Sequence, residues 1–521
     1  MQSSKCKRAA AIARLFFAFC ILHFALHGIG CARSPAADPN IITIAVRSGP
    51  TTLDPVQAAD EISQRIGQLI FRPLLDWGDD LRVHPALAER FENPDPRTYV
   101  FHLHRGVKFH DGHELTSKDV VYTFAQFLDP NFISPMKGAY RQLAAVTAID
   151  DYTVRFTLTE PFAAFPIQLV QPPVVPAGSA GAMRTHPVGT GPYRLVRHDS
   201  DDQVVLAAFD DYFEGRPRNA GLVVKVVPDD TMRGVELRKG STDMVINDLP
   251  PDIVHQLQKS DQFVVDRAAG LDFSYLGFNM RDPAVGDTRV RHAIAYAIDR
   301  DAIVHYLRRD LARPAAGMVP EQAWAFEPEV RIFNRDPERA KGLLDEAGYR
   351  DPDGDGPLPR LRLVLKTSTN EETRLQSTVI QEHLRQVGID LEIRSYEFAT
   401  YFADIVRGNF QIFTLIWTGG ALVDPDILRR VFHSQQIPPA GYNRGYYRNA
   451  DLDRVIDLAT TAIDEDERRR FYREAQKIIA EDVPYIPLWH RTNVIVAQRS
   501  LEGLHVGPMG NFTELRNVRR R

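Results

Sequence analysis

The stretch FHLHRGVKFHDGHE, residues 101–114, places four histidines, an aspartate and a glutamate within fourteen positions. His102, His104, His110 and His113, with Asp111 and Glu114, are residue types that bind metals or carry protons. A helical zinc-hydrolase motif reads H-E-x-x-H, so that both histidines share one helix face. Here HELTS starts at His113, and Ser117 stands where the second ligand belongs. His102 and His104 can share a metal from one strand face, but spacing fixes no third ligand. Exposed strand histidines are the preferred reading, and no metal is expected.

Other motifs fail similar tests. DPDGDGPLPRLR, residues 351–362, begins like a calcium loop with Asp351, Asp353, Asp355 and Gly356. Its twelfth position, which should be a bidentate glutamate, is Arg362. GTGPYRL, residues 189–195, has a glycine pair but neither the third glycine nor the following helix of a dinucleotide loop. No phosphate-cradling G-x-x-x-x-G-K-[ST] occurs, and no G-x-S-x-G nucleophile turn. Nothing marks a catalytic residue or a cofactor site, so the chain is expected not to be an enzyme.

The elements that must position these residues alternate between strand and helix. IITIAV, residues 41–46, is a β-rich apolar run. In residues 99–104 the pattern turns Tyr99, Phe101 and Leu103 to one face and both histidines to the other. Asp111-Gly112 is a turn, and Thr116 caps a helix with Asp119 three residues on. RLRLVLKT (360–367), a helix from about Glu371 to Val387, Gly388 as stop and IDLEIRSY (389–396) form a strand-helix-strand unit with parallel strands. Leu375, Val379, Leu384 and Val387 are its predicted apolar stripe. Further helices are predicted over 336–349, with Asp336 as cap, Pro337 in the first turn and Gly348 as stop, and over 290–307 and 466–482. This alternation argues an α/β fold.

The chain has 521 residues, 44% apolar and 25% charged, which is the mix of a globular protein too long for one core. Lys5, Lys7, Arg8 and Arg14 precede the apolar run LFFAFCILHFAL, residues 15–26, a secretory leader too short for a comfortable membrane span. The run ends in GIGC, so that Cys31 resembles the lipidated cysteine of a bacterial lipoprotein. Simple secretion and an uncleaved anchor are the alternatives. All three cysteines lie at or before position 31, so the mature chain forms no internal disulfide. Residues 1–30 carry four basic and no acidic side chains; without them the formal charge moves from −5 to −9. An acidic chain without a basic block is a poor nucleic-acid partner.

YVFHLHRGVKFHDGHELTSKDVVYTF (99–124), GTGPYRL, FDDYFEGRP (209–217), YLGFNM (275–280), VRHAIAYAIDRDAIV (290–304), DPERAKGLLDEAGY (336–349) and EDVPYIPLW (481–489) occur in an order that resembles the family 5 extracellular solute-binding proteins. These are the dipeptide- and oligopeptide-binding components of ABC importers. The resemblance implies a two-lobed periplasmic-binding-protein fold of α/β type, with an extra subdomain in the larger lobe and a ligand cleft between lobes. The implied division is a signal peptide over 1–30, a lipidated tether over 31–40, lobe I over 41–271 with a subdomain at about 84–184, lobe II over 272–484, and a return to lobe I over 485–521. It also implies hinge closure on a peptide or other small solute, delivery to ABC permease subunits, a monomer, and a periplasmic or cell-surface location held by lipid at Cys31.

Ligand contacts are expected at Ser48 and Thr51, at Trp417, Thr418, Gly419 and Gly420, at Asn443 and Arg444, and at Tyr485. In peptide-binding relatives an aspartate three residues after the cleft tryptophan pairs with the peptide ammonium; here Gly420 stands at that place. Asp424 and Asp426 are the nearest acids, although Asp424 precedes Pro425 and can equally hold a turn. The rival functions are an exported metal-dependent hydrolase using the histidine-rich strand, and the same fold binding a metal chelate, haem or an oligosaccharide.

Overall fold

The computed structural model describes residues 40–179, 181–354, 356–462 and 464–521. Cys31, the leader, the tether up to residue 39, and Asp355 of the calcium-like loop lie outside the described residues. Among the described residues no helix is long and apolar enough to cross a membrane.

Ile41–Val46 (β1) is a strand, with Ile42, Ile44, Ala45 and Val46 buried. Helix Glu61–Ile70 (α1) starts where the Asp60 carboxylate accepts the Ser63 N–H at 2.9 Å. It ends against GTGPYRL: the Gly191 N–H donates to the Ile70 carbonyl at 2.9 Å. A methyl group on Gly189 would stand 2.1 Å from that same oxygen. The glycine pair therefore permits a close backbone crossing.

Strands Ala88–Asp95 (β2), Thr98–Leu103 (β3), Leu143–Asp150 (β4) and Thr153–Leu158 (β5) form an antiparallel sheet in the order β2-β3-β5-β4. Helix Ser117–Ala125 (α2) covers it, with the Thr116 N–H donating to the Asp119 carboxylate at 2.9 Å. Phe101, Phe124 and Phe156 form its aromatic centre, at ring distances of 5.1–5.4 Å. As the alternation predicts, Tyr99, Phe101 and Leu103 are buried while His102 and His104 face away from that core. The histidines have separate partners. His102 meets Glu92 at 3.2 Å, His113 meets Asp111 at 2.6 Å, and His110 meets the Gly191 carbonyl at 3.0 Å. Burial pulls His110 down to about 4. Glu114 accepts from the Gly106 N–H and the Tyr152 hydroxyl, each at 2.7 Å.

One large sheet carries most of the rest. Apart from the short Ala312–Pro314, which pairs with the last of them off the main path, its strands are β1, Tyr193–Asp199 (β6), Gln203–Ala208 (β7), Gly221–Val226 (β8), Met244–Ile246 (β9), Phe263–Phe278 (β10), Leu361–Ser368 (β11), Ile389–Tyr396 (β12), Ile412–Trp417 (β13) and Tyr485–Gln498 (β14). Their order is β12-β11-β13-β10-β14-β9-β1-β8-β7-β6. Two long strands, β10 and β14, run antiparallel through its middle, and their register slips between Ala269 and Phe273. On one side of that slip β14 pairs with β9; on the other β10 pairs with β13. Separate buried clusters sit on the two sides, one around Ile44, Ile66 and Tyr193, another around Leu276, Ile294 and Leu365.

The predicted strand-helix-strand unit is present: β11 and β12 pair in parallel, joined by Glu371–Arg385 (α3). Its buried face differs from the predicted stripe. Leu384 and Val387 are buried as predicted and Val379 is half-buried, but Leu375 is 47% exposed, and Gln376 and Ile380 are buried in addition. The Gln376 amide faces inward and reaches the Thr414 hydroxyl of β13 at 3.4 Å. The predicted helix over 290–307 is also interrupted. Thr288–Ala297 ends at Ile298, which is extended and fully buried. Asp299 then caps a second short segment by accepting the Ala302 N–H at 2.9 Å. Helices Pro337–Glu346 and Glu465–Asp482 (α4) match their predicted spans closely.

Candidate functional site

Two chambers open beside the central strands. The first, about 550 Å³, is walled by Trp77, Tyr140 and Gln168 on one side and by Thr418, Gly419, Gly420, Asp424 and Tyr442 on the other. The second, about 480 Å³, lies between Arg47, Ser48 and Asp248 and the facing side chains of Arg308, Glu372, Leu375 and Arg491. Glu61, Arg65 and Asp272 line both. These volumes suit a small solute.

Asp272 sits in the register slip of β10. Its carboxylate accepts the Gly419 N–H at 3.0 Å and lies 3.6 Å from Arg491 of β14. It therefore pins the turn after β13 to both central strands. Gly419 has a φ of +54°, a conformation glycine adopts without strain. Gly420 leaves its side of the wall bare. A methyl group there would meet only Met509 Cε at 3.5 Å and Trp77 Nε1 at 3.9 Å.

Asp424 lines the first chamber and is 9% exposed. One oxygen accepts the Asp426 N–H at 2.8 Å, which holds the turn into helix Ile427–Phe432. Another stands 3.8 Å from Arg468, too far for a hydrogen bond. Burial pushes the Asp424 carboxyl up to about 6, against the pull of Arg468 and with the help of neighbouring Asp426. Asp426 is paired with Arg429 at 2.8 Å. The second chamber's basic wall differs: burial and the nearby Arg491 bring Arg308 down to about 9, and its guanidinium contacts Glu372.

The sequence-predicted residues separate into three groups. Thr418, Gly419, Gly420 and Asp424 meet at the first chamber, and Ser48 is exposed at the second. Thr51 serves the start of α1 instead: its N–H donates to the Ser63 hydroxyl at 2.9 Å and its own hydroxyl to Asp60. Trp417, Asn443, Arg444 and Tyr485 stand behind the chamber wall. Asn443 is buried, donating to the His433 and Tyr447 carbonyls at 3.2 and 2.7 Å and accepting the Tyr447 N–H at 3.0 Å, so its amide holds its own loop. Tyr485 stacks on Tyr275 at 4.1 Å. Arg444 lies over the Trp417 ring at 5.1 Å, and Tyr442 packs edge-on against Trp417 at 5.5 Å.

Sequence reasoning missed Asp272, Tyr442, Trp77 and the Glu61–Arg65 pair. Asp272 had a signal, as a lone acid in the apolar run GLDFSYLGF. Tyr442 lies beside the predicted Asn443.

Residues 82–439 match the model for bacterial extracellular solute-binding proteins, family 5, and the chain belongs to that family. It is 30% identical over 514 residues to a glutathione-binding protein of Salmonella choleraesuis, covering 95% of this chain and 98% of that one. It is 28% identical over 459 residues to the dipeptide-binding protein of Escherichia coli K12, covering 82% and 84%. Among solved structures, the oligopeptide-binding protein AppA of Bacillus subtilis with a nonapeptide superposes with a TM-score of 0.77 at 26% identity, over 92% of this chain and 98% of that one. A substrate-binding protein of an ABC transporter from Listeria monocytogenes gives 0.82 at 25% identity, over 92% and 99%. The fold is that of the periplasmic binding proteins.

Proposed function

We propose that this protein captures a peptide or related small solute in the first chamber and delivers it to the permease subunits of an ABC importer. The observation that carries this reading is a chamber of about 550 Å³ walled jointly by residues before and after the central strands, with a bare glycine turn and a buried acid facing the space. Such a wall offers backbone groups and several ionisable side chains, Asp424, Asp272 and Arg65 among them, which suits capture of an extended polar solute. The names of the Salmonella, Escherichia and Bacillus relatives, which bind glutathione, a dipeptide and a nonapeptide, support the same ligand class.

In this reading lobe I comprises residues 41–271 and 485–521, with the subdomain at about 84–184, and lobe II comprises residues 272–484. The two central strands are the hinge, and closure traps the solute. The mature chain is a monomer anchored by lipid at Cys31, at the periplasmic or outer face of a membrane, and acts by binding rather than catalysis. The hydrolase alternative lacks support, because His102, His110 and His113 each hold a different partner.

Mass spectrometry of the solute carried through native purification tests this reading. A peptide or an amino-acid conjugate released on denaturation is the expected result. A carried haem, oligosaccharide or metal chelate would replace it.

A further inference from the structure

His490 stands on β14 opposite Phe273, at the edge of the register slip between the two central strands, and is 4% exposed. Its Nδ1 lies 3.1 Å from the Leu271 carbonyl of β10, and its Nε2 lies 3.2 Å from the Gly317 carbonyl. A carbonyl oxygen only accepts, so each contact is a hydrogen bond only when that nitrogen carries a proton. A neutral imidazole has one N–H and an imidazolium has two. The neutral ring therefore leaves one carbonyl facing a lone pair, and the protonated ring pairs both. Leu271 lies within the slip, where the β10–β14 ladder is broken. Among the described residues no main-chain N–H reaches the Gly317 carbonyl.

The surroundings decide when the ring takes its second proton. Phe273 of β10 packs against it, with ring centres 5.2 Å apart. On strand Ala312–Pro314, Arg313 is its register partner, and Arg313 pairs with Glu321 at 3.3 Å. Asp272 and Arg491, next in the chain to Leu271 and His490, pair with each other at 3.6 Å. Among the described residues no carboxylate touches the ring, and Arg313 and Glu321 act on it with opposite signs. Burial holds its protonation below the usual histidine range, against the pull of the two carbonyls. The ring is therefore neutral at pH 7.5, and the second proton arrives in acid. We propose that His490 is a proton-operated pin in the hinge: its imidazolium ties both central strands to the segment around Gly317, and loss of the proton frees one of the two ties. This rests on the reading that the central strands are the hinge. In the described arrangement the two proposed lobes touch, with Arg82 bonding Glu465 at 3.0 Å, so the pin favours closure in acid.

Three measurements on the full chain test the pin. In nitrogen NMR spectra of labelled histidines, with His490→Gln to identify the signal, the ring shows one N–H at pH 7.5 and two at about pH 4.5, changing over below the value of about 6.5 usual for histidine. Small-angle scattering without solute gives a smaller radius of gyration in acid than at pH 7.5, in the unmodified protein and in Asp424→Asn alike, and no such change in His490→Gln. Calorimetry shows trialanine bound severalfold more tightly in acid than at pH 7.5 by Asp424→Asn, and equally at both by the double variant with His490→Gln. Arg313→Ala keeps the ring and removes a cation that opposes its protonation, so the spectral and scattering changes both move to higher pH. That variant decides the case if His490→Gln does not fold. A ring that gains no second N–H in acid overturns the pin. So does a ring that gains it while the radius of gyration, or the affinity for trialanine, stays constant. If ring and radius change together but trialanine does not bind at either pH, the pin stands and the peptide reading falls.

Discussion

Arg82 and Glu465, 383 residues apart, form two parallel N–H···O bonds of 3.0 Å each. Arg82 follows Trp77 of the first chamber's wall, and Glu465 opens α4, the helix that carries Arg468 to Asp424. At the other end Arg309 meets Asp252, a second-chamber residue, at 2.6 Å. Each pair joins a segment of the proposed lobe I to a segment of the proposed lobe II, so in that reading both act as latches between the lobes.

The Arg82–Glu465 latch is weak, because its side chains are 47% and 46% exposed. A double-mutant cycle with Arg82→Ala and Glu465→Gln, followed by urea unfolding, should give a coupling of about 0.2–1 kcal/mol. About 0.5 M salt should erase most of it. Arg82 holds the Glu465 carboxyl below its usual range. The coupling is therefore present at neutral pH and disappears as pH falls through that depressed value. A coupling unmoved by salt would show that the pair is not a surface latch.

What the sequence made legible was local. The Thr116–Asp119 capping box, the Asp336 and Gly388 punctuation and the alternation of residues 99–104 each depend on neighbours within a few positions. Long-range contacts hid the rest. Leu375 has the right spacing for a buried stripe, but its neighbour Gln376 faces inward and reaches Thr414 on another strand. Asn443 has the residue type of a ligand contact, yet its amide bonds lie within its own loop. Arg444 was legible as important, but its place over the Trp417 ring emerges only from the packing of separate segments.

The glycine crossing at α1 predicts a large fold effect from one methyl group. In Gly189→Ala the new atom meets the Ile70 carbonyl and the Phe71 ring, neither of which can yield easily. Overpacking of this kind costs about 1–3 kcal/mol. Chemical unfolding should show a loss in that range. A loss below about 0.5 kcal/mol would mean that the strand and helix separate freely there.

Asp424 sets a pH dependence. Its folded pKa of about 6 lies above that of an unfolded aspartate, so the folded chain binds this proton more tightly. The resulting stability is fully present below about pH 4 and is lost as pH rises through about 6. Relative to Asp424→Asn, the unmodified protein should therefore lose about 1–3 kcal/mol between pH 4 and pH 7.5. Parallel stability curves for the two proteins would remove the perturbed carboxyl.

The membrane anchor is tested at Cys31. One acyl chain binds membranes marginally, whereas several hold stably. Cys31→Ser should move the protein from the membrane to the soluble fraction and lower its mass by the lipid. An unchanged distribution and mass would refute lipidation.

Gly420 predicts how the solute's amine is treated. In the unmodified protein the acids facing the first chamber near the glycine turn, among the described residues, include Asp424, Asp426 and Asp272; Asp426 is already held by Arg429, and Asp272 by the Gly419 N–H with Arg491 3.6 Å away. Trialanine and N-acetyl-trialanine should therefore bind with similar affinity at pH 7.5. If the free amine is preferred and Asp424→Asn abolishes the preference, Asp424 is the anchor. Its protonation then weakens binding as pH falls through about 6. Gly420→Asp supplies the missing charge directly. The wall has room for its Cβ, with Met509 and Trp77 no nearer than 3.5 Å. A charge-assisted hydrogen bond contributes about 1.5–3 kcal/mol, so the variant should prefer the free amine by about tenfold or more. Calorimetry with both tripeptides decides the matter. A Gly420→Asp protein that folds normally but binds the two forms equally would mean that the solute's amine never reaches this turn.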